Sequence, residues 1–71
     1  MKYISKTDLI TQKLKELEVG QSFSKKQYII SLYGKYEFFL SRSFDVLLIH
    51  AKKRLEPNKF RTINRQITRI A

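Results

Sequence analysis

The sequence predicts a small α+β domain: three helices, a short strand after the first, and a C-terminal β-hairpin. Three observations carry this expectation. Apolar residues recur at helical spacing in three separate stretches. From Lys59 to Ile70 the pattern changes to alternation in β-branched residues, the period of a strand. A chain of 71 residues, 42% of them hydrophobic, has material for one core and hence one domain, 1–71.

In the first helix, Ser5 or Thr7 supplies the N-cap, and Asp8 stands in the first turn, where the helix dipole favours an acid. Leu9, Ile10, Leu14 and Leu17 form the apolar side, and Lys13, Lys15, Glu16 and Glu18 the wet side. Gly20 is the expected stop. This helix reads as core, with an interaction face as the alternative.

Gln21-Ser22-Phe23 suffices only for a strand fragment. Ser24 and Gln27 then fit N-cap and N3 of a capping box, and Phe23 and Tyr28 fit the hydrophobic staple. Both signals start a second helix at Lys25, with Tyr28, Ile29 and Leu32 inward and Gly34 at its end. Lys25 and Lys26 flank free backbone N–H groups there, a favourable place for a phosphate. Without a ligand they are two solvated lysines.

Lys35-Tyr36-Glu37-Phe38-Phe39-Leu40 either starts the next helix or forms an apolar loop, and its three consecutive bulky residues predict burial. Ser41 or Ser43 is the expected cap of the third helix. Phe44, Leu47, Leu48, Ala51 and Leu55 make one apolar stripe, and Pro57 stops it. Val46, Ile49, His50 and Lys53 project the other way, flanked by Arg42, Lys52 and Arg54. Mixed apolar and basic residues on an outward face fit a helix in a DNA groove, with cations on phosphates or guanine edges and Val46 and Ile49 on thymine methyls. They fit a second packing surface equally.

For the hairpin, a three-residue loop at Asn64-Arg65-Gln66 pairs Ile63 with Ile67, Arg61 with Arg69 and Phe60 with Ile70. A two-residue loop at Asn64-Arg65 sets Phe60 against Arg69. Matching apolar with apolar favours the longer loop, with Asn64 as the residue best able to take a positive φ. The longer loop places Phe60, Thr62, Thr68 and Ile70 on one face and Arg61, Ile63, Ile67 and Arg69 on the other. Two strands alone are barely stable in water, so the hairpin must pack on the helices.

Charge sets the class of partner. There are 15 Lys and Arg against 6 Asp and Glu, net +9. The excess is uneven, net +3 over residues 1–34 and net +6 over residues 35–71, and from Pro57 onward Lys59, Arg61, Arg65 and Arg69 meet no acid. Such a distribution points to a polyanion, with a solvated surface as the plain alternative. The chain has no cysteine, which suits a reducing compartment. It has no apolar run of membrane-spanning length and no signal-like N-terminus, so the expected location is the cytoplasm.

Chemistry is sparse. His50 is the only histidine. Asp45 and Glu56 stand at helical offsets that do not face it. No residues carry metal-ligand spacing, and with two glycines there is no phosphate-binding loop. The chain is expected to be neither an enzyme nor the carrier of a cofactor or metal.

The order of helix, short strand, helix, helix and hairpin resembles a winged helix-turn-helix domain over nearly the whole chain. That resemblance implies a third helix in the major groove and a hairpin wing on the DNA backbone or in the minor groove. By position it implies DNA contacts from Arg42, Val46, Ile49, His50 and Lys53 on the third helix. It adds Arg61, Arg65 and Arg69 on the wing, and Lys25 and Lys26 at the second helix. The link from Gly34 to Ser41 is long for such a turn, and the wing tip lacks a glycine. Val19-Gly20-Gln21-Ser22-Phe23 and the ending Lys59-Phe60-Arg61-Thr62…Ile67-Thr68-Arg69-Ile70 are also similar to small proteins of tailed phages, which implies a virus-encoded protein at work inside a bacterium.

Three functions follow. The first is backbone-driven binding of double-stranded DNA with modest sequence preference, as a regulator of transcription or an architectural factor. The second is a virus-encoded adaptor or inhibitor that docks on an acidic host protein. The third is RNA binding, for which Tyr33, Tyr36 and Phe38 are the aromatics outside the expected core.

Overall fold

The computed structural model describes residues 4–71. Met1–Tyr3, part of the stretch read as too polar for a signal peptide, lie outside the described residues. The elements are α1 (Lys6–Glu16), β1 (Ser22–Ser24), α2 (Lys25–Tyr33), α3 (Phe38–Arg54), a 3₁₀ turn (Pro57–Lys59), β2 (Phe60–Ile63) and β3 (Gln66–Arg69). The fold is α+β as expected, and β1 joins the hairpin in an antiparallel sheet of order β1-β3-β2. Among the described residues no helix is long and apolar enough to cross a membrane.

Ser5 and Asp8 start α1 with a reciprocal box. The Ser5 hydroxyl accepts from the Asp8 N–H at 3.1 Å, and the Ser5 N–H donates to the Asp8 carboxylate at 3.3 Å. The same carboxylate takes the Arg54 guanidinium at 2.5 Å, so the start of α1 is tied to the end of α3. Helix α1 ends at Glu16, four residues before the expected stop. Gly20, at φ 89°, instead shapes the turn into β1, where Gln21 N–H donates to Glu18 O at 2.9 Å.

Ser24 caps α2 by accepting from Gln27 N–H at 3.3 Å, and the Phe23 and Tyr28 rings meet edge-on at 5.1 Å. Gly34 closes α2 in the left-handed region, as expected.

Helix α3 begins at Phe38 with Glu37 as an N-cap that makes no side-chain capping bond, so neither Ser41 nor Ser43 caps it. Ser41 N–H already donates to Glu37 O within the first turn. The apolar stripe explains the early start: Leu40 packs against the core one turn before Phe44 and extends the line onto which the helix folds. The link from α2 to α3 is therefore Gly34–Glu37, shorter than the sequence suggested. The burial expected of Phe38-Phe39-Leu40 holds only for Leu40; Phe38 and Phe39 stand in solvent.

The core is Ile10, Leu14, Leu17, Ile29, Phe44, Leu48, Ala51, Phe60 and Ile67. Phe44 is fully buried, with the Tyr28 ring packed edge-to-face on it, ring centres 5.9 Å apart. Burying such a side chain contributes about 1.5–3 kcal/mol. The Tyr28 hydroxyl donates to Leu9 O at 3.0 Å; burial raises its pKa above the ordinary phenol value, and the charge of Glu16 adds to the rise.

The hairpin turns in two residues, not three. Asn64 and Arg65 hold φ 50° and 61°, the paired left-handed conformations of a tight hairpin turn. The pairs are Ile63 with Gln66, Thr62 with Ile67, Arg61 with Thr68 and Phe60 with Arg69. The core decides this register. It puts Phe60 and Ile67 on one face, where both are buried, whereas the longer loop would have put them on opposite faces. Phe23 of β1 pairs with Ile67 and extends the same apolar face.

Candidate nucleic-acid interface

Two faces of α3 divide its work. Phe44, Leu48 and Ala51 fill the core, and Leu40, Leu47 and Leu55 pack beside them. Opposite them Phe38, Phe39, Arg42, Val46, Ile49, His50 and Lys53 share roughly a third of the helix circumference. All seven are exposed. Val46 and Ile49 leave 54% and 53% of their surface in solvent, so no other element covers this face.

Lys25 joins three elements. Its N–H donates to Arg65 O at the hairpin tip at 3.1 Å, and its ammonium meets Asp45 of α3 at 2.6 Å. The hairpin tip, the start of α2 and the middle of α3 therefore meet at one residue. The expectation that Lys25 offers a free charge to a phosphate is not met, because Asp45 engages it. Lys26 is exposed, with its ammonium 5.5 Å from the Tyr36 ring centre.

The three hairpin arginines part company. Arg61 lies on the outer face of the sheet, in a row with Thr68 and Ser22, and Arg65 stands exposed at the tip. Arg69 lies on the inner face with Phe60, against the expectation that it would share the face of Arg61. Its guanidinium donates to Leu17 O at 2.7 Å and Ala71 O at 3.1 Å. Arg69 thus satisfies carbonyls at the end of α1 and the chain terminus.

Four of the six acids are similarly engaged. Asp8 pairs with Arg54, Glu37 with Lys35, Asp45 with Lys25, and Glu56 with Lys59. The Arg54 guanidinium, with the Ser5 hydroxyl and N–H, holds the Asp8 carboxyl below its ordinary pKa. Among the described residues Arg42, Lys52, Lys53, Arg61 and Arg65 have no acidic partner, and neither do Lys26 on α2 or Lys6, Lys13 and Lys15 on α1. Asp45 stands exposed at the edge of the outer face of α3, one turn from Arg42 and from Ile49, and Lys25 engages it.

The chain matches no family model, no curated protein and no solved structure. The geometry alone carries the functional reading.

Sequence reasoning missed an aromatic group at the start of α3. Phe38 and Phe39 are 70% and 76% exposed, with ring centres 6.2 Å apart at 66°. The Arg42 guanidinium lies 5.8 Å from the Phe38 ring centre. Starting the helical wheel at Phe38 instead of Ser41 would have set both rings opposite Phe44. A shallow cleft between α1 and the C-terminal end of α3 is lined by Leu14, Lys15, Arg54, Leu55, Glu56 and Arg69. Most of its charge is already paired, so it offers a ligand little beyond Lys15. Among the described residues no group of three or more His, Cys, Asp or Glu side chains is placed to hold a metal ion.

Proposed function

We propose that this protein binds double-stranded DNA in the manner of a winged helix-turn-helix domain, as a regulator or architectural factor in the cytoplasm. One observation carries the reading: the outward face of α3 is uncovered and bears Arg42, His50 and Lys53, while the acid at its edge, Asp45, is engaged by Lys25, whose N–H also ties α2 to the hairpin tip. The order α1-β1-α2-α3-β2-β3 and the short link Gly34–Glu37 support it. Arg42 and Lys53 reach phosphates or guanine edges, Val46 and Ile49 meet thymine methyls, and His50 contacts a base. Arg61, Arg65 and Lys26 contact phosphates, while Lys25 and Arg69 act by holding the parts together.

Counterion release supplies most of the affinity. About five phosphate contacts predict a loss of roughly 500-fold between about 50 and 200 mM salt. Binding of a random duplex followed by fluorescence anisotropy across that range tests the reading, and a flat response contradicts it. Arg65→Ala should weaken binding to every sequence and reduce the salt slope by about one unit.

A second reading is a module that docks on an acidic host protein. The exposed Phe38, Phe39, Val46 and Ile49 favour it, because large apolar side chains gathered on one face also mark protein contacts. Partners retained from bacterial lysate after nuclease treatment would support this reading.

A further inference from the structure

We propose that Phe39 is a wedge that stacks on a nucleobase at an opened step of the duplex, held in place by Phe38 and Arg42. The inference rests on the DNA-binding reading and assigns a distinct role within it. Phe39 opens the stripe that continues through Arg42, Val46, His50 and Lys53, and it is 76% exposed, the most of the large apolar residues described. An apolar ring held in water on a face without structural duty is suited to an apolar surface in its partner.

The surroundings identify that surface. Lys26 lies near Tyr36 and Arg42 near Phe38, each within 6 Å of a ring centre. Glu37, the acid within this group, is engaged by Lys35 at 3.3 Å. An anionic chain is therefore drawn to the place where the rings stand, and a flat apolar face is offered beside it. Nucleic acid supplies both in one ligand, phosphate and base. Phe38 meets Phe39 edge-on at 66°, so the two rings cannot stack in parallel on successive bases. One ring enters and the other braces it.

The energetics predict where the wedge acts. Stacking an aromatic on a base strengthens binding by about 5- to 150-fold, and opening a well-stacked step costs a comparable factor. On a well-stacked step the two nearly cancel. The net gain appears where opening is cheap, at TA and CA/TG steps or beside an unpaired base.

The test compares one duplex with the same duplex carrying a single-nucleotide bulge, at fixed salt, for the wild type, Phe39→Ala and Phe39→Trp. The wild type should prefer the bulged duplex by about tenfold, the factor that stacking of this size yields. Phe39→Ala should lose that preference but keep its salt slope, since the ring releases no counterion. Phe39→Trp should keep it, and as the only tryptophan in a chain with none its emission should be quenched on the bulged duplex. A wild type that binds both duplexes equally overturns the wedge and leaves DNA binding standing. Retention of the preference in Phe39→Ala, or unchanged Phe39→Trp emission, also overturns it. So does tighter binding to a single strand than to the bulged duplex. Absence of binding to either duplex removes the DNA-binding reading and the wedge together.

Discussion

Both faces of α3 carry large apolar side chains, and they do opposite things. Phe44, Leu48 and Ala51 are buried against α1 and α2; Phe38, Phe39, Val46 and Ile49 are exposed. Composition cannot separate the two sets, because both are rich in Phe and aliphatic residues. Position around the helix separates them: one set faces α1 and α2, and the other is left in solvent by every described element.

The comparison breaks most visibly under truncation of one ring on each face. Phe44→Ala should destabilise the protein by about 3–5 kcal/mol, a large part of what a small domain has. Phe39→Ala should stay within about 0.5 kcal/mol of the wild type, as surface substitutions do. Urea denaturation measures both. Comparable losses would mean that the outer face is packed after all.

The hairpin arginines provide a smaller version of the contrast. Arg69→Ala removes two charged hydrogen bonds that tie β3 to the end of α1 and to the chain terminus, and should cost about 1–3 kcal/mol. Arg61→Ala should leave stability within about 0.5 kcal/mol and reduce affinity for DNA instead. Thermal melts together with duplex titrations separate the roles, and interchange of the two effects would reverse the assignment of inner and outer faces.

The smallest expected effect concerns pH. The Arg54 guanidinium and the Ser5 cap lower the pKa of Asp8 in the folded state. A depressed carboxyl stabilises the fold above its unfolded pKa of about 3.9, and that contribution disappears as pH falls from there through the folded value. The stability difference between wild type and Asp8→Asn should therefore shrink at acid pH. A difference that stays constant from neutral pH into strong acid would show that the Arg54–Asp8 pair does not couple α1 to α3 through charge.

Much of the fold was legible because local chemistry and global packing agree. Ser5 as the cap of α1, Asp8 in its first turn, Ser24 as the cap of α2, Phe23 against Tyr28 and Gly34 at the end of α2 are short-range signals that the structure realises, although of the capping box expected at Ser24 and Gln27 it shows the Ser24 half. The failures arise where distant packing outweighs a local rule. Pairing Ile63 with Ile67 satisfied neighbouring residues, but the core required Phe60 and Ile67 on one face, and Arg65 accepted a positive φ that its side chain does not advertise. Helix α3 starts without a capping side chain, so Ser41 and Ser43 misled, and Phe39 was read as buried, while Phe38 was counted both in a buried run and among the free aromatics. In the candidate site, the exposed stripe from Arg42 to Lys53 follows from helical periodicity. The engagement of Lys25 by Asp45 and of Arg69 by Leu17 O is long-range and left no trace in spacing.

The most direct test of the proposed surface is an amide-resolved NMR titration of ¹⁵N-labelled protein with a short DNA duplex. The account predicts shifts concentrated at Phe38, Phe39, Arg42, Val46, Ile49, His50 and Lys53, with a second group at Asn64 and Arg65. Shifts confined to the cleft around Lys15 and Arg54, or no shifts at all, would contradict it.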